Sequence, residues 1–413
     1  MKTFKELYDT LMESAIKGEP SSDGNDYKDY DPNHLDCLLH PKKHPLVIKT
    51  GQCDCAHEKA AECINSCPFD AMSATDSGDI AIDSKLCLGC AECINACHSK
   101  KLIESTETIA ALKAIRSSSG PAYAMIAPAF LGQFDDVTPG KLRTALKKVG
   151  FDGMLEVALF ADILTLKEAL EFDKNIRSES DFQLTSCCCP MWIGMIRKVY
   201  NELMPHVPGS VSPMVACGRC VKKLHPDALT VFIGPCLAKK AEAREKDLVG
   251  AVDFVLTFQE VQSIFEALGI NPSEMEESEK DHSSRSGRIY ARSGGVSEAV
   301  EKTVARISPQ RPISVRTRQA DGVLACKSMM NDLLAGKSEA NFYEGMGCKG
   351  GCVGGPRSVT GAERGSALVD IYGNMSPYQT PIENPYVVEL LERLDIFTIE
   401  DILESELFIR NFL

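Results

Sequence analysis

Residues 229–240 read LTVFIGPCLAKK: an apolar run that stops at Gly234-Pro235 and hands the chain a cysteine, Cys236. A strand buried on both faces is apolar without alternation, and open α/β sheets present their ligands just beyond the strand carboxyl ends. Similar short runs flank it, AYAMIAP (122–128), GMLEVAL (153–159), DFVLTF (253–258) and RIYA (288–291), with helical texture between them. From about residue 106 this alternation predicts an α/β architecture, mixed sheets flanked by helices.

Outside that region the patterns differ. Residues 3–17 place Phe4, Leu7, Leu11 and Ile16 among charges, which predicts a surface helix. Residues 18–45 collect Gly, Pro, Ser, Asp and Asn and read as an irregular arm. His34, Cys37, His40 and His44 lie close together in it, but their mixed spacing favours loop residues and one buried thiol over a metal site. The Ser-rich, charged stretch 271–287 reads as a solvated loop. The C-terminal EDILESELFIRNFL reads as an amphipathic helix docked on the body.

The chain has 413 residues, 18 of them Cys, with 45 basic and 58 acidic side chains for a net charge of −13. An acidic chain is a poor nucleic-acid binder, since phosphate affinity rests on clustered Lys and Arg. No apolar run approaches the ~18 residues of a membrane span, and the N-terminus lacks the apolar core of a signal peptide. A cytoplasmic protein is therefore expected. In that reducing compartment so many cysteines read as metal or redox ligands rather than disulfides.

Cys87-x2-Cys90-x2-Cys93-x3-Cys97 has the spacing that wraps three thiolates around one iron–sulfur cubane and sends the fourth to a second. A looser copy precedes it, Cys53-x-Cys55-x7-Cys63-x3-Cys67-Pro68, and the phrases AECINSC (61–67) and AECINAC (91–97) mark an internal repeat. The interlocked repeat assigns Cys53, Cys55, Cys63 and Cys97 to one [4Fe–4S] cluster. Cys67, Cys87, Cys90 and Cys93 go to the other. Structural zinc would not need the repeat. His98 stands where proline usually follows the last cysteine. Residues 46–105 thus read as a small α+β ferredoxin-like domain with two clusters, after an N-terminal helix and arm (1–45) and before an α/β domain (106–413).

Three further cysteine motifs lie downstream: TSCCCPMW (185–192), GPCLAKK (234–240) and EGMGCKGGC (344–352). Glycines around Cys348 and Cys352 would let the backbone approach a bulky inorganic group. Spacing alone argues for a third Fe–S site and no more.

In these motifs the sequence resembles the [FeFe]-hydrogenases, from about residue 46 to 390. The resemblance implies a two-lobed catalytic domain. It implies a third [4Fe–4S] cluster on Cys189, Cys236, Cys348 and Cys352, with Cys352 also bridging to a diiron unit that carries CO, cyanide and an azadithiolate. The first motif usually has two cysteines. Anchoring on Pro190 and Trp192 makes Cys189 the ligand, Cys188 the proton-relay thiol and Cys187 the extra residue; the same register aligns Ser212-Pro213 without a gap. A thiol of ordinary pKa near ~8.5 can both accept and donate a proton around neutrality. Lys239 would hold a cyanide ligand through a charge-assisted hydrogen bond. Ala127, Pro128 and Met346 would line the diiron pocket, Met346 as a soft contact.

Glu168 and Glu171 share one helix face at i, i+3 and match the family's proton path to solvent. The serine expected between them falls on Pro208, with Ser210 nearby as a substitute. Gly234 stands where the common form has Met, Met214 where it has Gln and Tyr290 where it has Phe. Cys217-Gly-Arg-Cys220 matches no common feature and reads as a redox pair, a metal half-site or two buried thiols. One expectation is that Cys187, Cys217 or Cys220 lies near the diiron unit and guards it against oxygen. Cys326 reads as a core thiol.

The resemblance implies an iron hydrogenase that interconverts protons and H2 and exchanges electrons with ferredoxin or a similar carrier. It implies maturation proteins for the diiron unit, and neither nucleic-acid nor membrane partners. The alternatives are a low-turnover H2 sensor, for which no signalling domain is visible, and a non-catalytic Fe–S scaffold or assembly protein.

Overall fold

The computed structural model describes residues 2–19, 27–53, 55, 62–185, 188–278 and 282–412. Near the N-terminus, strands β1 (Val47–Lys49), β2 (Met72–Ala74), β3 (Ile80–Ile82) and β4 (Leu102–Glu104) form two antiparallel pairs, β1 with β4 and β2 with β3. The sequence repeat is also a backbone repeat. Short helices Glu62–Asn65 and Glu92–Asn95 occupy equivalent places, and Asp70 and Lys100, each three residues past a repeat-ending cysteine, both adopt positive φ.

The main sheet is wholly parallel. Strands β5 (Ala122–Ile126) and β6 (Gly153–Glu156) pair with each other. After β7 (Gln183–Leu184), which belongs elsewhere, β8 (Leu229–Gly234) pairs with β5 and β9 (Phe254–Thr257) with β8, giving the order β6-β5-β8-β9. Parallel neighbours require crossovers, and the helix Pro139–Val149 supplies one between β5 and β6, as the short helix Ala238–Glu242 does between β8 and β9. A second parallel sheet joins β10 (Thr317–Asp321), β11 (Phe342–Met346) and β7. The carboxyl ends of β5 and β8 lead into Ala127-Pro128 and Pro235-Cys236, and those of β7 and β11 into the first and third cysteine motifs. Ligand-bearing loops of two lobes therefore face a common space.

The helix Val157–Asn175 is the spine between the lobes. It is apolar on nearly every face and buried along most of its length, as such a pattern demands. The charged groups it takes inside, Asp162, Lys167 and Glu168, consequently need partners. Asp162 accepts from Ser284 and Gly287 N–H and from Asn384 Nδ2, at 2.7, 2.8 and 3.2 Å.

Several expectations are corrected by such tertiary partners. RIYA is no strand: residues 285–291 form a helical turn and a 3-10 turn, held by Asp162. In GMLEVAL the strand ends at Glu156 and Val157 opens the spine helix. Residues 271–287 are not simply solvated, because Ser283, Ser284 and Ser286 are buried. The arm contains a helix, Pro32–Leu39, capped by the Asp31 carboxylate with Pro32 in its first turn. The C-terminal helix is shorter than expected, Ile399–Glu404, after which Phe408 is buried and Ile409 bridges to Ser210. Among the described residues no helix is long and apolar enough to cross a membrane.

Candidate metal centre

The first motif leaves β7 and turns at once into the helix Pro190–Val199, with Cys189 as its N-cap and Pro190 in its first turn. Trp192 follows, fully buried, its indole N–H on Thr185 O at 3.4 Å. In the second motif Cys236 receives the backbone N–H groups of Ala238 and Lys239. The third motif leaves β11 and is shaped by glycine. Gly350 and Gly351 hold φ of 80° and 89°, and a Cβ on Gly351 would sit 2.6 Å from Ser293 N. Glu344, just before it, accepts from Gly294 N, Ser297 N and Ser297 Oγ, which caps the helix Gly295–Ile307 and anchors the motif.

These segments bring Cys189, Cys236, Cys348 and Cys352 to the wall of one cavity, about 760 Å³ of atom-free space. Gly347 N–H donates to Cys189 Sγ at 3.3 Å, and each of the four sulfurs lies within electrostatic reach of at least two others. Burial, then the neighbouring sulfurs, pushes the Cys236 thiol up to about 11 and Cys352 to about 12. Thiols such as Cys236, Cys348 and Cys352, each raised by its surroundings, ionise together only around a compensating cation, so the four-cysteine donor set fits an iron cubane.

Beyond the sulfurs the cavity is walled by Ala127, Pro128, Met214, Phe232, Tyr290 and Met346, with Cys188 on its edge and Lys239 reaching in. The wall is almost wholly apolar. A Cβ on Gly234 would sit 2.8 Å from the Phe232 ring and 3.0 Å from Ala127 Cβ, so no side chain fits there while Phe232 fills that corner. Tyr290 OH accepts from Thr165 on the spine helix at 2.8 Å. Lys239 Nζ bonds the buried Glu242 carboxylate at 2.6 Å. Burial pulls the ammonium down, but Glu242 outweighs it and the net shift is upward.

The N-terminal cysteines gather as two groups. Cys53, Cys63 and Cys97 are mutual neighbours, with Cys55 in the same small core. Cys67, Cys87, Cys90 and Cys93 form the other, and Cys93 faces Cys63 across the gap. Ala71 N–H donates to Cys67 Sγ at 3.3 Å, and the backbone N–H groups of Lys100, Lys101 and Leu102 face Cys97. His98 pairs with Glu62 at 2.7 Å and so ties one repeat to the other. Cys90 and Cys348 border a single cleft and lie within electrostatic reach. Lys198, Lys327 and Arg357 bond Lys85 O, Pro68 O and Glu104, clamping the two parts together.

Other predicted residues fall differently. Glu168 is buried and Glu171 half-buried on the spine helix. Pro208 accepts only through its carbonyl, from Ser210 N–H at 2.9 Å. Cys217 and Cys220 do not line the cavity. They sit in the core against the main sheet, so of the three cysteines expected near the diiron unit these two are not among the cavity's lining residues. Cys187 lies outside the described residues, as do most of those between Cys55 and Cys63. Cys326 is a core thiol. In the arm, His44 pairs with Asp36 at 2.6 Å, His34 packs edge-on against Phe4 and Cys37 is buried. Sequence reasoning missed Lys167, Glu242 and Glu344. The signals were a lysine four residues before Glu171, a glutamate three after Lys239 and a glutamate opening the third motif.

Residues 121–356 match the family described as iron only hydrogenase large subunit, C-terminal domain. Iron hydrogenase 1 of Clostridium pasteurianum is 27% identical over 287 residues, 60% of this chain and 49% of that protein; the chain thus spans about half the length of this relative. Cytosolic iron-sulfur assembly component 3 of Pongo abelii is 24% identical over 377 residues, 74% of this chain and 78% of that protein. A solved [FeFe]-hydrogenase structure concerned with stepwise H-cluster assembly superposes with a TM-score of 0.62 at 22% identity, over 75% of this chain and 99% of that one, and shares the fold.

Proposed function

The chain belongs to the iron-only hydrogenase family, and from that premise we propose that it interconverts protons and H2, 2H+ + 2e− ⇌ H2. The observation that carries this reading is the apolar cavity beyond the four-cysteine nest, with the buried Lys239 among its lining residues. A diiron unit with CO, cyanide and azadithiolate ligands supplies, when bound there, an open iron beside an amine base. The rest is the work of the chain.

Cys189, Cys236, Cys348 and Cys352 would hold the third cubane in this reading, and Cys352 would also serve as the thiolate toward the diiron unit. Lys239 Nζ would donate to a cyanide, a charge-assisted bond that an apolar cavity would strengthen. Ala127, Pro128 and Met346 exclude water. Cys188 Sγ holds the proton at the cavity edge and passes it toward Glu168 and Glu171. Electrons arrive from ferredoxin or a similar carrier through the two clusters of the 46–105 domain and cross between Cys90 and Cys348 into the 106–413 domain. Maturation proteins install the diiron unit, and the cytoplasm is the compartment proposed.

The assembly-component relative supports a second reading, a cubane-bearing iron–sulfur assembly protein. Protein matured with the diiron cofactor separates the two. Infrared bands of bound CO and cyanide, with H2 evolution from reduced dye, are the expected result. Absent bands favour assembly; bands with only a trace of turnover favour an H2 sensor.

A further inference from the structure

The spine helix spends burial on a group that the mechanism above does not use. Lys167 is 1% exposed on a helix that is otherwise apolar on almost all faces. A leucine there would avoid the cost of desolvating an ammonium, so the lysine calls for a reason. Its Nζ donates to Glu171 Oε1 at 2.5 Å and to Ser210 Oγ at 2.9 Å. Ser210 is itself buried, and Glu171, half-buried, has its second oxygen, Oε2, without a hydrogen-bond partner. Three proton-bearing groups thus run in hydrogen-bond contact from the interior to a carboxylate at the edge of solvent. They span the stretch where Pro208 offers no side-chain proton site.

We propose that Lys167, with Ser210, is the proton relay between Glu168 and Glu171. This rests on the hydrogenase reading and deepens it. In the direction of H2 evolution a proton from solvent reaches the Glu171 carboxyl group through the exposed part of its side chain, which is 16% of it, and Oε2 stays buried. Lys167 gives one N–H proton to the Ser210 hydroxyl, which passes its own proton inward to the Glu168 carboxylate across a gap that a water bridges, since the two side chains are not in direct hydrogen-bond contact. Lys167 then takes a proton from Glu171. Ammonium, hydroxyl and Glu171 carboxylate are all restored, and the net change is one proton moved from solvent to Glu168. Burial raises the Glu171 carboxyl even against Lys167 and Lys174, which brings donor and acceptor closer in proton affinity and eases the hop.

Lys167→Met, Lys167→Arg and Ser210→Ala, each matured with the diiron cofactor, test the relay. All should keep the wild-type CO and cyanide bands. Lys167→Met and Lys167→Arg should both evolve H2 about 100-fold more slowly, since arginine keeps the charge but cannot release a proton. Ser210→Ala should be slowed about 10-fold, within the lower range of such proton-transfer effects. A second readout needs no turnover: in protein carrying cubanes alone, the carboxyl infrared band that Glu171→Gln deletes should titrate at higher pH in Lys167→Met than in wild type. Full activity in Lys167→Arg would mean that the lysine only holds Glu171 in place, and overturns the relay. So does a wild-type rate in Lys167→Met with normal bands. If Lys167→Met does not fold, the charge-preserving arginine variant and Ser210→Ala carry the test. A wild type that shows no CO or cyanide bands after maturation brings down the hydrogenase reading, and the relay with it.

Discussion

Lys239 and Glu242 form a buried ion pair, Nζ to Oε2 at 2.6 Å, across one turn of the short helix Ala238–Glu242. The lysine reaches the apolar cavity; the glutamate lines a polar cleft on the other side, with Arg197, Arg244 and Arg410. Removing one partner of a buried pair strands the other charge and costs about 3–5 kcal/mol, whereas replacing both with apolar groups is often neutral. Glu242→Ala should therefore lower the urea stability of the cubane-bearing protein by that amount. The double variant Lys239→Met, Glu242→Leu should recover most of the loss. It should still bind no diiron unit, read by missing cyanide bands, because the ammonium is gone.

Gly345→Ala should damage the centre from behind. The added Cβ would lie 2.1 Å from Cε3 of Trp192, which is fully buried at the start of the cysteine-bearing helix. Overpacking a tight core costs about 1–3 kcal/mol, and here relief must come from moving either Trp192 or β11, each attached to a cubane cysteine. Trp192 is the sole tryptophan, so its fluorescence reports the site directly. The expected outcome is a red-shifted emission with loss of about a third of the iron, one of the three cubanes proposed above.

The parts of this centre that the sequence made legible are those whose chemistry demands a spacing. Cysteines spaced as for a cubane, and β8 with its uninterrupted apolar run, stand out in one dimension because cluster ligation and the burial of a central strand each demand a local pattern. RIYA has the same texture as β8, yet Asp162, far away in sequence, claims the backbone of residues 284–287 and turns it into helix. Lys167 and Glu242 were illegible for a related reason. A charge in a helical sequence looks solvated until the packing around it is known, and the packing comes from other segments.

Acid should loosen the frame of the third motif through Glu298. Arg285, Arg292 and Lys302 converge on this carboxylate and, against the opposing pull of burial, bring it from 4.5 to about 2. A depressed folded-state pKa means that the unfolded chain binds the proton first as pH falls. The stabilisation is whole above about 4.5 and is lost as pH drops toward 2. Partial exposure of the cluster limits it to about 2 kcal/mol. Glu298→Gln should be less stable than wild type by that amount at pH 7, with the gap narrowing below pH ~5. Comparing the two proteins at each pH cancels the effect of acid on the clusters. A gap that stays constant from neutrality into acid would dismiss the ion cluster as the cause.

Cys217 and Cys220 should prove silent toward oxygen. They lie on the helix Pro213–Leu224, whose first turn, Pro213 and Met214, does line the cavity. The thiols come later and turn toward the sheet, where they are 0% and 1% exposed. Burial lifts Cys220 to about 12 and raises Cys217 well above the ordinary thiol range, so both stay protonated near neutrality, and a thiol is neither nucleophile nor metal ligand until it ionises. Each Cys→Ser change puts a hydroxyl into an apolar core and should cost about 1–2 kcal/mol in urea unfolding. Thiol reagents should label neither residue in the folded protein, and oxygen inactivation of the matured protein should run at the wild-type rate in both variants. A changed inactivation rate without a change in stability would mean that the core opens enough to bring these sulfurs to the cavity, and would restore them to the oxygen chemistry that their burial denies.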